Sequence, residues 1–388
     1  MISLDLPEPS AAEKQHSQRL TDHIQQRIRE ADGWLSFEQY MQLALYAPGL
    51  GYYSGGLQKF GEQGDFITAP EVGSLFARSL ARPLAQLLED IPQGQIMEFG
   101  AGSGKLAADL LAALDSAGQL PRRYLIIELS AELRQRQKQT LQQRVPALLP
   151  RVEWLDSLPQ SPIDGVIIAN EVMDAMPVRR FKKAGDRVME LGVEWQQGAL
   201  RLAYREADQV LRQQVQALPI GGEGVYCSEI NSHIAPWIAS LADCIRQGGI
   251  YLIDYGYPRT EYYSPERDMG TFIGYYQHRS LDAPLWYPGL QDLTAFVDFS
   301  SVAEAAQARG LDVDGYTSQG NFLLNCGLGT IVEQMDFVSE IDHLKIVQQM
   351  KTLTLPGEMG ERFKVMGLSK GLEKNIPGFE QRDMRYSL

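Results

Sequence analysis

Cysteine is scarce in this 388-residue chain, and the three present, Cys227, Cys244 and Cys326, are odd in number and far apart. That excludes a disulfide framework and predicts three free thiols in a reducing compartment. The five histidines, His16, His23, His233, His278 and His343, show no metal-ligand spacing with the cysteines or with one another, so no metal is expected. No stretch approaches the roughly 18 uninterrupted apolar residues of a membrane-spanning helix. The first residues carry Asp5, Glu8 and Glu13 with no apolar core, unlike a secretory leader or an Arg-rich transit peptide. Basic residues are in deficit too. The formal net charge of −13 argues against a general nucleic-acid binder, which would present a basic face. A cytoplasmic protein without membrane insertion or a nucleic-acid partner is expected, its oligomeric state left open.

What the chain has is an ordinary globular balance, 44% hydrophobic and 22% charged, over a length that accommodates a large core or two domains. Its most informative stretch is Glu98-Phe-Gly-Ala-Gly-Ser-Gly104, with Gly100, Gly102 and Gly104 after an apolar run and before the helix-like Leu106–Leu114. A strand, a glycine turn and a helix start are the first loop of a nucleotide-cofactor site in a doubly wound sheet. A phosphate-binding loop requires Ser or Thr after its lysine, and here Lys105 precedes Leu106. A dinucleotide fingerprint requires glycine where Lys105 stands. S-adenosyl-L-methionine (SAM) has no pyrophosphate and asks less of the loop, while an acid at the strand end, Glu98, can attract its ammonium. A glycine turn with no ligand is the alternative.

The next apolar run, Tyr124-Leu-Ile-Ile, ends in Glu128, 24 residues after Gly104. A ribose-binding carboxylate is expected roughly 20 residues on. Ser130 then reads as the cap of a helix over Ala131–Gln142. The alternative for Glu128 is a surface acid at a strand end. Alternation of strands (96–100, 124–128, 152–155, 165–169) with helical runs predicts right-handed crossovers and a parallel sheet. Helices are expected at 20–29, 37–44 and 72–88 before it, residues 1–10 being loose. After it the pattern predicts an inserted ribbon over 178–184, 187–195 and 199–204, a helix over 230–246, a fifth strand over 249–254, then a Tyr- and Gly-rich irregular stretch at 255–298. A helix over 302–309, a strand over 311–318 and a helical piece from 344 follow.

Ala169-Asn-Glu-Val-Met-Asp-Ala-Met-Pro177 follows the fourth strand, so Asn170 and Glu171 should face whatever the glycine loop binds. Two carboxylates, Glu171 and Asp174, can hold a guanidinium by forked hydrogen bonds, and one can take a released proton. The same residues also read as a surface acid and a cap. In Gly64-Asp-Phe-Ile-Thr-Ala-Pro-Glu71, Thr68 reads as a helix cap with Pro70 at the first position and Glu71 in the first turn. Asp65 is open to a ligand. Asp254-Tyr-Gly256 ends the fifth strand. His278-Arg279, with Tyr275 and Tyr276, either lines a substrate groove or is packed or exposed without a role.

Taken in order, Ala47-Pro-Gly-Leu-Gly-Tyr-Tyr53, Gly64–Glu71, Glu98–Gly104, Ala169–Pro177, Asp254–Gly256, His278-Arg279, Asp292-Leu-Thr-Ala-Phe-Val-Asp-Phe299 and Glu358-Met-Gly-Glu-Arg-Phe-Lys-Val365 resemble the MidA family of SAM-dependent methyltransferases across nearly the whole chain. Mitochondrial members of that family assist complex I assembly by methylating an arginine. The resemblance implies an α/β fold: a Rossmann-like seven-stranded methyltransferase core, a helical N-terminal part and an inserted β/helical element. The expected division is 1–90, a core over 91–330 with an insertion at 176–228, and a C-terminal helical region over 331–388. Asp65, Glu98, Gly100, Gly102, Gly104, Glu128 and Asn170 are expected to bind SAM. Glu171 and Asp174 would orient the acceptor, with Tyr53, Asp254 and His278 on the substrate side. Family members often carry Pro and Arg where Ala101 and Ser103 stand, and aromatics where Val172 and Met173 stand, which alters the cofactor contact and the acceptor pocket. The expected activity is methylation of an arginine side chain in a partner protein, a respiratory complex I-type subunit by the resemblance. The rivals are a small-molecule methyltransferase of the same fold and a SAM-binding assembly chaperone with little turnover.

Overall fold

Strands form where apolar, β-branched runs are bounded by glycine or by polar turn residues. In the computed structural model, which describes residues 6–55, 68–222, 224–337 and 339–388, eight strands share one sheet, and seven such runs form its continuous path. They are β1 (Gln95–Phe99), β2 (Tyr124–Ile127), β3 (Val152–Leu155), β4 (Ile163–Asn170), β5 (Ile245–Tyr257), β6 (Asp312–Ser318) and β7 (Phe363–Lys370). Their order is β3-β2-β1-β4-β5-β7-β6. β1 to β5 are parallel. β7 is antiparallel to both β5 and β6, pairing Ile250 with Leu368 and Tyr316 with Met366.

The parallel strands read as continuous apolar runs because helices cover the sheet. Helix Leu75–Asp90 buries Leu75, Phe76, Leu80, Leu84 and Leu87, and helix Lys105–Ser116 buries Leu106, Leu110, Leu111 and Leu114. Both faces join one core with Ile96, Ile126, Val166, Ile168, Tyr251, Phe322 and Val365.

The chain folds as two compact units. The one carrying the seven strands comprises Ile67–Val172, Ala235–Pro258 and Asp298–Leu388. The other comprises Met1–Phe66, Met173–Ile234 and Arg259–Val297. It has helices Ala11–Glu30 and Phe37–Tyr46, each opened by a serine capping box. Its strands Arg179–Ala184, Arg187–Gln196 and Ala199–Glu206 form an antiparallel meander, joined by Val225–Ile230 and Leu35–Ser36. Leu20, Ile24, Tyr40, Leu191, Val193 and Phe272 build its core. The expected limits at 90 and 330 both fall inside the first unit, and the ribbon expected at 176–228 belongs to the second.

Three expectations are corrected. The helix expected over 230–246 is a strand, Val225–Ile230, then a helix, Ile234–Cys244. Asn231 marks the break, its side-chain oxygen accepting from the His233 backbone N–H. The C-terminal region, expected to be helical, also supplies β7. The first helix, expected over 20–29, starts already at Ala11, because Ser10 and Glu13 close a capping box. No helix among the described residues is long and apolar enough to cross a membrane.

Candidate functional site

In an open α/β sheet ligands sit outside the carboxyl ends of the strands, where the strand order reverses. That point here lies between β1 and β4. Beyond β1, Gly100, Gly102 and Gly104 have φ of +63°, +51° and +81°, values that side-chain-bearing residues adopt at a cost. Gly104 is itself the left-handed cap of helix Lys105–Ser116. A Cβ on it would lie 2.9 Å from the Gln137 Cα, so helix Ala131–Arg144 approaches the loop too closely for alanine.

Glu98 is buried on β1, and the Tyr124 hydroxyl donates to its Oε2 at 2.7 Å. Burial pushes the Glu98 carboxyl up to about 7. The Tyr124 hydrogen bond opposes this, and the nearby Glu128 charge adds to it. Glu128 is buried past the end of β2, and burial raises its pKa against the hydrogen bonds it accepts. Those come from the Ser130 N–H at 2.8 Å and the Gln137 Nε2 at 3.0 Å. Gln137 Nε2 also reaches the Gly102 carbonyl at 3.2 Å, and Gln137 Oε1 accepts from Trp154 Nε1 at 2.9 Å. One fully buried glutamine thus ties the second acid to the glycine loop.

At the end of β4, Asn170 Nδ2 donates to Glu171 Oε1 at 3.0 Å. Asn170 Oδ1 is buried and has no hydrogen-bond partner among the described residues. Glu171 takes a left-handed conformation, φ +54°. Its carboxylate also accepts from the Ala69 N–H at 3.3 Å, and its own N–H donates to the Ile253 carbonyl of β5 at 2.9 Å.

Helix Ala69–Val72 touches both sides of this point. The Ser103 hydroxyl donates to the Glu71 carboxylate, and Lys105 Nζ donates to the Gly73 carbonyl at 3.0 Å. Thr68 stands at the cap position but its side chain makes no capping bond, and Pro70 is the second helical residue, not the first. Glu71 turns to the glycine loop instead of back to Thr68. Asp65 lies outside the described residues. Asp254 is fully buried, its carboxylate accepting from the backbone N–H groups of Val172 at 3.2 Å and Tyr255 at 2.9 Å.

The remaining candidates belong to the other unit. The Tyr53 hydroxyl donates to Asp292 Oδ1 at 2.8 Å, and its ring stacks on Tyr46 at 5.5 Å. Burial drives its pKa well up, and the Asp292 and Asp174 charges add to the effect. Asp174 is buried, and its carbonyl accepts from Ala295 at 3.0 Å. His278 is exposed in the two-residue turn that pairs Tyr276 with Arg279. Its φ of +61°, beside +45° at Gln277, is the geometry of a tight hairpin.

Sequence reasoning missed Tyr124, Gln137, Trp154 and Ala69. Tyr124 had a signal: it lies on the same sheet face as Glu98, its register partner being Ile96. Gln137 had none, since its helix is polar nearly throughout. Among the described residues no group of His, Cys, Asp or Glu could hold a metal ion.

The model of the S-adenosyl-L-methionine-dependent methyltransferase family matches residues 76–317. The chain belongs to that family. The methyltransferase is 30% identical to a Drosophila melanogaster mitochondrial protein arginine methyltransferase NDUFAF7 homolog, over 94% of this chain and 88% of that one. It is 28% identical to the Rattus norvegicus mitochondrial protein arginine methyltransferase NDUFAF7, over 95% and 92%. A Burkholderia thailandensis protein crystallised with S-adenosyl-homocysteine superposes with a TM-score of 0.95 at 41% identity, over 99% of this chain and 100% of that one. The methyltransferase is MidA-like, and its cofactor is SAM. The residues present fit that cofactor: bare glycine backbone on one side of the switch point and, on the other, a buried acceptor, Asn170 Oδ1, that has no partner among the described residues.

Proposed function

We propose that this methyltransferase methylates a nitrogen of an arginine side chain in a partner protein. The observation that carries the reading is the conformation of Glu171. A glutamate gains nothing from φ +54°, and such strain, worth about 1–3 kcal/mol, persists where the surroundings over-determine it and clusters at functional sites. Ala69 and Asn170 hold its carboxylate in place beyond the end of β4.

Bound SAM supplies an electrophilic methyl group on a positively charged sulfur. Gly100, Gly102 and Gly104 are assigned to admit it, Glu98 and Asn170 to receive its polar groups, and Glu128 to accept from the ribose hydroxyls. A guanidinium is planar and offers paired N–H donors, which a carboxylate matches with two hydrogen bonds. Glu171 is assigned to orient it so that one nitrogen faces the methyl. The N–C bond forms as the S–C bond breaks, and the proton lost from that nitrogen goes to Glu171. Curated relatives sharing most of the chain's length, named protein arginine methyltransferases, support the acceptor class. A subunit of respiratory complex I type is the partner assigned on the MidA resemblance.

The test is transfer of labelled methyl from SAM in a lysate of cells lacking this chain. Label on one protein band, hydrolysing to methylarginine, is expected. Glu171→Gln should cut the rate about 100-fold or more with SAM affinity retained, as loss of a positioned proton acceptor does. Asp174→Asn tests the second acid the sequence pairs with it. Label in small molecules, or none, overturns the reading.

A further inference from the structure

Asp254 lies near the carboxyl end of β5, as its sequence context predicts. It was expected to meet substrate, yet it is fully buried on β5, one residue beyond the Ile253–Asn170 register pair that links β5 to β4. Its carboxylate accepts from the Val172 N–H at 3.2 Å and the Tyr255 N–H at 2.9 Å. The preceding carbonyl, Ile253 O, accepts from the Glu171 N–H at 2.9 Å. Two successive N–H groups, those of Glu171 and Val172, are therefore taken by the end of β5, and they bracket the left-handed residue.

The arrangement reaches the cofactor loop as well. A Cβ placed on Gly100 would lie 3.2 Å from Val172 Cγ2, so Val172 packs against the first glycine of the loop. A backbone that relaxed φ at 171 would swing both the Glu171 side chain and Val172. A bond from N–H to a buried carboxylate is among the stronger anchors available, and its loss leaves the donor unmatched.

We infer that Asp254 is a positioning residue for methyl transfer: through the Val172 N–H it holds the strained turn that presents Glu171, and it does not meet the acceptor itself. This rests on the assignment of Glu171 above. Across the β5–β7 pair the register partner of Asp254 is Lys364, which also donates to the Glu361 carbonyl and lies over the Tyr257 ring, 5.3 Å from its centroid.

The test is a double-mutant cycle on the full chain: wild type, Asp254→Asn, Glu171→Gln and the double variant. The readouts are labelled methyl transfer into lysate protein and calorimetric titration with S-adenosyl-homocysteine. Asp254→Asn should lower kcat about 10- to 100-fold, the scale of one charge-assisted hydrogen bond. Its S-adenosyl-homocysteine affinity should fall by no more than about threefold, well short of the loss in kcat, unlike that of a variant whose core is merely loosened. The double variant should be no slower than Glu171→Gln alone within about threefold, because the two residues act on one step. Asp254→Glu, which keeps the charge, should recover part of the rate. Multiplying losses in the double variant, or an Asp254→Asn protein that transfers normally, overturns this inference. Normal transfer by Glu171→Gln overturns the underlying assignment instead.

Discussion

Glu98 gives the sharpest pH test. Its carboxyl is pushed up to about 7 in the unliganded protein, chiefly by burial. If it receives the SAM ammonium, binding must hold it ionised, so binding releases a proton wherever the free protein still carries one. With a pKa of about 7, Glu98 is roughly 90% ionised at pH 8 and roughly 10% at pH 6. SAM affinity should therefore rise about tenfold from pH 6 to pH 8. At pH 7 about half a proton should leave per SAM bound. Calorimetry at pH 7 in two buffers of different ionisation enthalpy reads that proton directly. Glu98→Gln is the control, because it removes the titrating carboxyl while the free cofactor's amino group titrates identically in both experiments. Folding stability has the opposite sign. A raised carboxyl pKa means the folded chain binds more protons than the unfolded one between about pH 4.5 and 7. The stability Glu98 contributes is fully present below about 4.5 and is lost as pH rises through about 7, so the unliganded melting temperature should fall where affinity climbs. Equal proton release from wild type and Glu98→Gln would refute the placement of Glu98 at the cofactor.

Gly102→Val puts a β-branched residue at φ +51°, so the loop must distort. SAM binding, by calorimetry, should weaken about tenfold or more, and normal binding would move the cofactor elsewhere. Gln137→Leu removes the partner of Gly102 O, Glu128 Oε2 and Trp154 Nε1 at once. Each such loss costs about 1–3 kcal/mol, so urea unfolding should show at least about 3 kcal/mol of destabilisation together with weakened SAM binding.

The parallel half of the sheet was legible because each of its strands is an apolar run broken by glycine or polar turns. β3 falls at the expected residues 152–155, and the ribbon turns fall at Gly185-Asp186 and Gln197-Gly198. β7 was not legible. Phe363-Lys-Val-Met-Gly-Leu-Ser-Lys370 alternates only weakly, since it is buried on both faces between β5 and β6. Within the site, Glu98, Glu128, Asn170 and Glu171 were placed at strand ends from spacing alone. What spacing could not carry was the conformation of Glu171 or the inward turn of Asp254. Both depend on which backbone groups the neighbouring strand leaves to be matched, and that is a property of register. His278 shows the converse. Its aromatic neighbours suggested a groove, but a two-residue turn turns it to solvent.

The position of β7 also governs how the chain can be made. β5 and β6 are not neighbours in the sheet, and each meets Phe363–Lys370. Between the emergence of β6 and that of Phe363–Lys370, the nascent polypeptide therefore carries β5 and β6 without the strand that joins them, and unmatched strand edges are templates for mispairing with other chains. They are capped only when a late stretch emerges from the ribosome. A message broken upstream of Phe363 would not yield a slightly shorter enzyme. It would yield a sticky half-closed sheet, a natural client for chaperones and proteases.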